Sequence, residues 1–125
     1  MTKRVLIVED NELVSETLKS MLEFFQIEVT VAPSGAEAIK LFEVAKNSNE
    51  PFDIVFIDLV LPMMHGSDVL KELQKIDPEV KAVISSGYSD DPSISHYEKL
   101  GFNGILNKPY TLDELRDVLV KLKIL

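Results

Sequence analysis

The chain alternates between two kinds of apolar pattern. Short runs rich in β-branched residues, which are typical of buried strands, are separated by segments whose apolar residues recur every three or four positions, which is typical of helices. The strand-like runs cover residues 5–8, 28–31, 54–57, 80–84 and 104–106. Strands and helices in strict alternation predict an α/β fold, a doubly wound five-stranded parallel sheet with five helices that cover both of its faces.

The helical segments are defined by apolar residues that share one face and by residues that start or stop helices. In chain order, these apolar sets are Val14, Leu18, Met21, Leu22 and Phe25; Ile39 and Phe42; Val69, Leu70, Leu73 and Ile76; Ile94, Tyr97 and Leu100; and Leu112, Leu115, Val118, Leu119 and Leu122. The fourth helix is predicted to begin at Asp91, before a proline, and to stop at Gly101. The fifth is predicted to begin with a capping box of Thr111 and Glu114.

Length and composition limit the class of protein. The 125 residues fit a single domain covering 1–125. We expect no membrane span and no signal peptide, since no apolar run approaches about 20 residues. The chain contains no cysteine, which excludes disulfides and thiolate metal sites and suits a cytoplasmic protein. A net charge of −8 disfavours nucleic acid as a partner, because nucleic acid is bound through clustered lysine and arginine.

Charged and hydroxyl side chains follow four of the predicted strands. Glu9 and Asp10 follow the first strand, Asp58 the third, Ser86 the fourth and Lys108 the fifth. The carboxyl ends of parallel strands meet at one edge of the sheet, where ligands bind. Carboxylates held close together repel one another unless a cation intervenes. Mg²⁺ is the expected cofactor, since it prefers carboxylate, water and phosphate oxygens.

Each of these residues also has a structural explanation when it is taken alone. Asp10 could cap the first helix, and Asp58 could be a solvated loop residue. Ser86 could form a turn beside Gly87, and Lys108 could be an ordinary exposed lysine. We prefer a functional site because the residues converge on one edge. A cation, a lysine and a hydroxyl around a carboxylate supply what phosphoryl transfer requires, and the carboxylate can act as the nucleophile.

Four short motifs occur in the order and spacing of a known family. They are VLIVED at residues 5–10, DLVLPMMHG at 58–66, ISSG at 84–87 and KPY at 108–110. Together they resemble the receiver domain of two-component response regulators, over essentially the whole chain. The resemblance implies the flavodoxin-like fold of chemotaxis regulators, with strand order 2-1-3-4-5.

The resemblance also implies a role for each site residue. Asp58 would accept a phosphoryl group from the phosphohistidine of a histidine kinase or phosphotransfer protein. Glu9, Asp10, Asp58 and the backbone carbonyl of Val60 would hold Mg²⁺. Such a domain is not an enzyme in the usual sense, although it catalyses its own phosphorylation and dephosphorylation.

Two further residues would bind the phosphoryl group, and one surface would carry the signal. Ser86 would form a hydrogen bond with a phosphoryl oxygen, and Lys108 would form an ion pair with it after a cis peptide bond to Pro109. The signal would pass to a downstream output protein or domain through the fourth helix, the fifth strand and the fifth helix.

The loop after Asp58 is unusually apolar. We expect Pro62 to shape this loop and Gly66 to permit a tight exit into the next helix. For Met63 and Met64, we prefer partial filling of the core to contact with a partner.

Several positions differ from the usual receiver pattern or call for a separate prediction. Ile105 stands where receivers usually carry an aromatic residue, so the coupling between site and surface is expected to differ. Val60 stands two positions after Asp58, and Tyr88 stands two positions after Ser86. The resemblance implies that these positions tune hydrolysis of the phosphorylated state, which the bulk of these side chains is predicted to slow. His65 and His96 are expected to be surface residues rather than phosphorylation sites.

Three alternatives make different demands on the sequence. A hydrolase with an aspartate nucleophile requires a second aspartate two positions after the first, where this chain has Val60. A flavin-binding module requires a glycine-rich phosphate loop after the first strand, where this chain has VEDNELV. A receiver-like interaction module that is never phosphorylated is the remaining alternative. Whether the chain stands alone or belongs to a hybrid kinase or a longer regulator stays open.

Overall fold

A parallel sheet forms the centre of the computed structural model, which describes residues 2–87 and 91–125. Within these residues the strands are β1 (Arg4–Val8), β2 (Glu28–Ala32), β3 (Ile54–Ile57), β4 (Ala82–Ser86) and β5 (Gly104–Asn107). The helices are α1 (Glu12–Phe24), α2 (Gly35–Asn47), α3 (Gly66–Ile76) and α4 (Leu112–Lys121), with a 3₁₀ helix at Pro92–His96. All strand pairs are parallel, in the order β2-β1-β3-β4-β5. The predicted fold class and strand order are confirmed.

The sheet carries a separate apolar core on each face, and β3 contributes to both. Val55 and Ile57 pack with apolar side chains of α2 and α3 on one face. Ile54 and Phe56 pack with those of α1 and α4 on the other face. Every residue of β3 is therefore buried, which gives the strand a fixed position in the domain. Among the described residues, no helix is both long and apolar enough to cross a membrane.

The N-terminal cap of α1 is Asn11. Its side chain accepts a hydrogen bond from the backbone N–H of Val14 at 3.1 Å. The alternative in which Asp10 caps this helix is therefore wrong, and the carboxylate of Asp10 remains exposed beside the sheet edge. The predicted capping box of Thr111 and Glu114 is present at the start of α4.

The predicted fourth α-helix is wrong. The segment forms a 3₁₀ helix at Pro92–His96 followed by turns. Its backbone hydrogen bonds span three residues, as from the N–H of Ile94 to the carbonyl of Asp91 at 3.0 Å and from Leu100 to Tyr97 at 3.2 Å. The apolar residues of this segment, Ile94, Tyr97 and Leu100, recur every three positions, which matches the three residues per turn of a 3₁₀ helix.

Serine side chains in this segment compete with an α-helical backbone. The hydroxyl of Ser95 donates to the carbonyl of Pro92 at 3.0 Å, and such local bonds disfavour an α-helix. The predicted ends of the segment are nevertheless present. Asp91 caps it by accepting from the N–H of Ser93 at 2.9 Å, and Gly101 ends it with a φ of +102° that glycine adopts easily.

Candidate functional site

The carboxyl end of β1 and that of β3 bring acidic side chains together. The N–H of Asp58 donates to the carbonyl of Val8 at 3.0 Å, which holds the two strand ends side by side. One carboxylate oxygen from each of Glu9, Asp10 and Asp58 lies within 4.8 Å of the others. Glu9 and Asp58 are buried and Asp10 is exposed. The structure thus places the three acids that the sequence singled out in one cluster.

A cleft of about 520 Å³ lies over this cluster. It is bordered by Glu9, Asp10, Asn11, Val14, Asp58, Val60, Gly87 and Lys108. Val60 lies on the border of the cleft with 45% of its surface exposed, whereas Ser86 at the end of β4 is fully buried. The cleft is therefore open to a ligand at the acceptor side, and the serine hydroxyl lies below its surface.

Lys108 reaches the acid cluster from the end of β5. Its Nζ donates to Oε1 of Glu9 at 2.6 Å and lies 3.8 Å from Oδ2 of Asp58. Its backbone N–H donates to the carbonyl of Ser86 at 2.9 Å, and the peptide bond to Pro109 is cis, as the sequence resemblance implied. The lysine therefore neutralises part of the acidic cluster and is bound most closely to Glu9.

The carboxyl group of Asp58 titrates far from its ordinary range. Burial raises its pKa to about 6, and the charge of Glu9 raises it as well. The charge of Lys108 and the hydrogen bond from the N–H of Val60, at 3.2 Å, act in the opposite direction. A cation bound among these acids would favour the charged carboxylate.

The donor set fits Mg²⁺. Glu9, Asp10 and Asp58 supply hard carboxylate oxygens, and the cleft leaves room for waters and a phosphate group. The Val60 carbonyl as a fourth protein ligand stays a prediction.

Comparison with known proteins decides the family. A sequence model of the response regulator receiver domain matches residues 5–120. The chain belongs to this family. This receiver domain is 32% identical to the chemotaxis protein CheY of Thermotoga maritima over 122 residues, which are 97% of this chain and 98% of CheY. The response regulator TrrA of the same species, solved in complex with Mg²⁺-BeF, has 28% identity and a TM-score of 0.82, with 97% of this chain and 99% of TrrA covered.

Some relatives are much longer than this receiver domain. The sensor kinase CckA of Brucella abortus is 34% identical over 111 residues, which are 89% of this chain but only 11% of the kinase. A response regulator receiver protein of Anaeromyxobacter is 30% identical over 116 residues, and the chain spans about half (47%) of its length. Kinases and response regulators are thus among the classes of protein that carry similar domains.

The loop between β3 and α3 is partly as predicted. Met64 packs against the core, but Met63 is fully exposed with a φ of +65°, so the prediction that Met63 fills the core is wrong. The positive φ of Met63 directs the chain around a tight turn, which leaves the Met63 side chain in solvent. A Cβ at Gly66 would lie 2.9 Å from Cα of Leu59 and closer still to the carbonyl of Asp58, so only glycine permits the predicted tight exit.

The sequence interpretation missed the role of His65. This residue is only half-exposed, caps α3 and lies with Nε2 at 3.0 Å from Oδ2 of Asp91. Its position directly before the glycine that starts α3 was the available signal for a cap. His96 is exposed, as predicted.

The predicted effect of Ile105 on switching and that of Tyr88 on hydrolysis of the phosphorylated state stay predictions. Ile105 is half-buried and packs against the core between the sheet and α3, which does not by itself test its coupling role. Tyr88 lies outside the described residues.

A second missed feature is an apolar groove of about 270 Å³ next to the acidic cleft. It lies between α1 and the loop after β5 and is bordered by Leu13, Val14, Thr17, Leu18, Met21, Lys108, Pro109 and Tyr110. Leu13 is 77% exposed at its edge. The Tyr110 hydroxyl lies 3.4 Å from Oγ of Ser85. Burial raises the pKa of this hydroxyl, so the tyrosine that lines the groove is neutral.

Proposed function

We propose that Asp58 accepts a phosphoryl group from the phosphohistidine of a histidine kinase or phosphotransfer protein, in a reaction that depends on Mg²⁺. One observation carries this proposal. The Asp58 carboxylate ends a fully buried strand and lies within 4.8 Å of carboxylate oxygens of Glu9 and Asp10, with Nζ of Lys108 at 3.8 Å. A nucleophile on a rigid mount, beside a cation site and a lysine, is the arrangement that phosphoryl transfer uses.

The chemistry balances with groups of the two proteins. An oxygen of Asp58 forms a bond to phosphorus while the bond from phosphorus to the imidazole nitrogen breaks, and the bonding electron pair stays on that nitrogen. Glu9, Asp10, Asp58 and the Val60 carbonyl would hold Mg²⁺, which would supply positive charge to stabilise the phosphoryl oxygens. Because these groups belong to the receiver domain, it catalyses its own phosphorylation, and a small acyl phosphate can replace the kinase.

Lys108 and Ser86 bind the phosphoryl group in this proposal. The ammonium group of Lys108 already lies near both buried acids, so a phosphoryl group on Asp58 falls within its reach. Ser86 is buried at the end of β4. In this proposal, the end of β4 changes conformation when the Ser86 hydroxyl bonds to the phosphoryl group. That change would alter the surface formed by the 3₁₀ helix, β5 and α4, which the output protein or domain recognises.

The apolar groove supports a protein as the phosphoryl donor. The groove and the acidic cleft share Val14 and Lys108, so they lie side by side. A helix of the kinase or phosphotransfer protein that covers Leu13 and fills the groove would bring its phosphohistidine to the mouth of the cleft. Burial of exposed apolar surface would supply affinity, and the cleft would supply the chemistry.

Incubation with acetyl phosphate tests the proposal. Intact-mass spectrometry should show the gain of one phosphoryl group with Mg²⁺, no gain with EDTA, and no gain for Asp58→Asn. The matched control is Asp113→Asn, which alters an exposed aspartate at the start of α4 and should react like the wild type. A folded wild-type protein that gains no phosphoryl group in the presence of Mg²⁺ would support a receiver-like interaction module instead.

A further inference from the structure

We propose that His65 and Asp91 form a latch that, in the unphosphorylated domain, holds the start of the 3₁₀ helix at Pro92–His96 against the loop before α3. The latch is the hydrogen bond between Nε2 of His65 and Oδ2 of Asp91, 3.0 Å long, which joins two residues 26 positions apart. This inference rests on the proposed function, because it concerns the response of the domain to a phosphoryl group on Asp58.

The direction of the hydrogen bond follows from the other side of the imidazole ring. The backbone N–H of Ser67 donates to Nδ1 of His65 at 3.1 Å, so Nδ1 is an acceptor and carries no proton. The ring proton is therefore on Nε2, from which it is donated to Asp91. The latch forms with a neutral imidazole and requires no positive charge on the histidine.

Asp91 uses both carboxylate oxygens. Oδ1 accepts from the N–H of Ser93 at 2.9 Å, which starts the 3₁₀ helix, while Oδ2 accepts from His65. Burial raises the pKa of Asp91, but the hydrogen bonds from His65 and Ser93 outweigh this effect and hold the pKa below its ordinary value. The side chain of Asp91 is 13% exposed and that of His65 is 35% exposed, so the bond is only partly shielded from competing water.

The other end of the latch is fixed to the acceptor strand. His65 forms an isolated β-bridge with Val60, and the next residue, Gly66, donates its N–H to the carbonyl of Leu59 at 2.8 Å. The backbone of His65 is thus held against the two residues that follow Asp58. The latch therefore connects the immediate surroundings of the acceptor to the start of the 3₁₀ helix.

The position of the latch predicts its effect on switching. Ser86 is fully buried, whereas Gly87, one residue later, borders the cleft. In the proposed function, the end of β4 changes conformation when Ser86 bonds to the phosphoryl group. Among the described residues after Gly87, Asp91 is the first whose side chain is hydrogen-bonded to another part of the fold. The hydrogen bond between His65 and Asp91 is intact in the unphosphorylated conformation, and we expect it to be strained in the phosphorylated one. It therefore shifts the population towards the unphosphorylated conformation.

Two substitutions remove the latch while each keeps a good helix cap. His65→Asn retains a cap for α3, and Asp91→Ser retains a cap for the 3₁₀ helix, but neither new side chain can span the gap. In the presence of Mg²⁺, we expect each variant to bind the phosphoryl mimic beryllofluoride about three- to fivefold more tightly than the wild type. This magnitude corresponds to the loss of one partly exposed hydrogen bond to a carboxylate. The double variant should bind no more tightly than either single variant, because both remove the same bond.

The control for these binding measurements is His96→Asn. His96 is an exposed histidine in the same 3₁₀ helix, and its replacement should leave the affinity unchanged. Unchanged affinity in His65→Asn and Asp91→Ser, or additive effects in the double variant, would overturn the latch.

Amide hydrogen exchange without beryllofluoride tests the restraint independently of phosphorylation. The N–H groups of Ser93 and Ile94 should exchange several-fold faster in His65→Asn than in the wild type, and equal rates would overturn the latch. If the wild type bound no beryllofluoride while these amides exchanged faster in the variant, the proposed function would fail and the restraint itself would stand.

Discussion

Asp58 is a buried carboxylate that the fold holds at an energetic cost. Its side chain is largely removed from solvent, and Glu9 adds a second negative charge nearby, so burial and repulsion raise the pKa of Asp58 to about 6. Lys108 offsets this cost only in part, because it lies 2.6 Å from Glu9 and 3.8 Å from Asp58. The site thus keeps a destabilised anion where a cation and a phosphoryl group are expected to bind.

This cost predicts that Asp58→Asn stabilises the domain in a pH-dependent way. The folded pKa of about 6 lies above the ordinary value of 3.8. The folded domain therefore binds more protons than the unfolded chain between these values, and the stability that Asp58 contributes is lost as the pH rises through about 6. At one pKa unit per about 1.4 kcal/mol, the advantage of the variant approaches at most about 3 kcal/mol at pH 7.5 and falls to about half a kcal/mol at pH 4.

Urea unfolding at several pH values, in EDTA, measures this difference. Mg²⁺ should narrow it at pH 7.5 by binding to the wild type. A difference in the free energy of unfolding that stayed constant from pH 4 to pH 7.5 would contradict the raised pKa of Asp58.

Lys108 should have opposite effects on cation binding and on phosphorylation. Its ammonium group competes with a cation for Glu9, so Lys108→Ala should bind Mg²⁺ about fivefold more tightly by a charge-repulsion argument. The same variant should be phosphorylated more slowly by acetyl phosphate, because the charge that stabilises the phosphoryl oxygens is gone. Calorimetric titration and intact-mass kinetics give the two results, and weaker Mg²⁺ binding would contradict this assignment.

Val60 should protect the phosphorylated state from water. Its apolar side chain is 45% exposed at the border of the cleft and offers no hydrogen bond to an attacking water. Val60→Asn should shorten the lifetime of the phosphoryl group about tenfold, since a positioned polar side chain assists proton transfer. Met63→Asn is the matched control, because Met63 is exposed on the same loop but does not border the acidic cleft. An equal lifetime for Val60→Asn and wild type would refute the idea.

Helix α1 combines a buried structural face with an exposed edge, which we propose is a docking edge for the phosphoryl donor. Leu18 and Leu22 are buried against the sheet, while Leu13 lies in solvent at the edge of the apolar groove. The sequence pattern predicted the buried face, because its residues recur at helical spacing. It could not predict the groove, whose other wall comes from Pro109 and Tyr110 almost a hundred residues away.

Leu13→Asp separates docking from chemistry. An aspartate in the first turn of α1 is compatible with the helix dipole, so the fold should be retained. The rate of phosphotransfer from a histidine kinase that phosphorylates the wild type should fall about tenfold in this variant. Loss of an apolar contact at a protein interface typically has an effect of this size. Labelling by acetyl phosphate should not change. Val44→Asp, an exposed position on α2, is the control, and equal losses for both variants would contradict a specific role for the groove.

The segment at residues 91–101 shows why an apolar pattern alone does not decide the type of a single helix. Its cap at Asp91 and its end at Gly101 follow from local chemistry and are present where expected. Its apolar period of three, together with serine hydroxyls that bond to the backbone, favours a 3₁₀ helix over the predicted α-helix. Element boundaries and types depend on such local competition, which a search for an apolar face does not weigh.

For the domain as a unit, the predictable features are those that depend on repeated patterns. Alternation of strands and helices identifies the doubly wound sheet, and the sheet then brings Glu9, Asp10 and Asp58 to one edge. Pairings between distant side chains could not be predicted, as the bond between His65 and Asp91 shows. Such bonds depend on the final packing of loops, which leaves no periodic signal in the sequence.

The central claim is that Asp58 is the phospho-acceptor, and reductive trapping of the acyl phosphate tests it at the level of the residue. The domain is phosphorylated with acetyl phosphate and Mg²⁺, treated with sodium borohydride and digested, and the peptides are sequenced by mass spectrometry. The prediction is homoserine at position 58, in amounts that follow the Mg²⁺ concentration, with Glu9 and Asp10 unmodified. Reduction at another carboxylate, with Asp58 intact, would contradict the account.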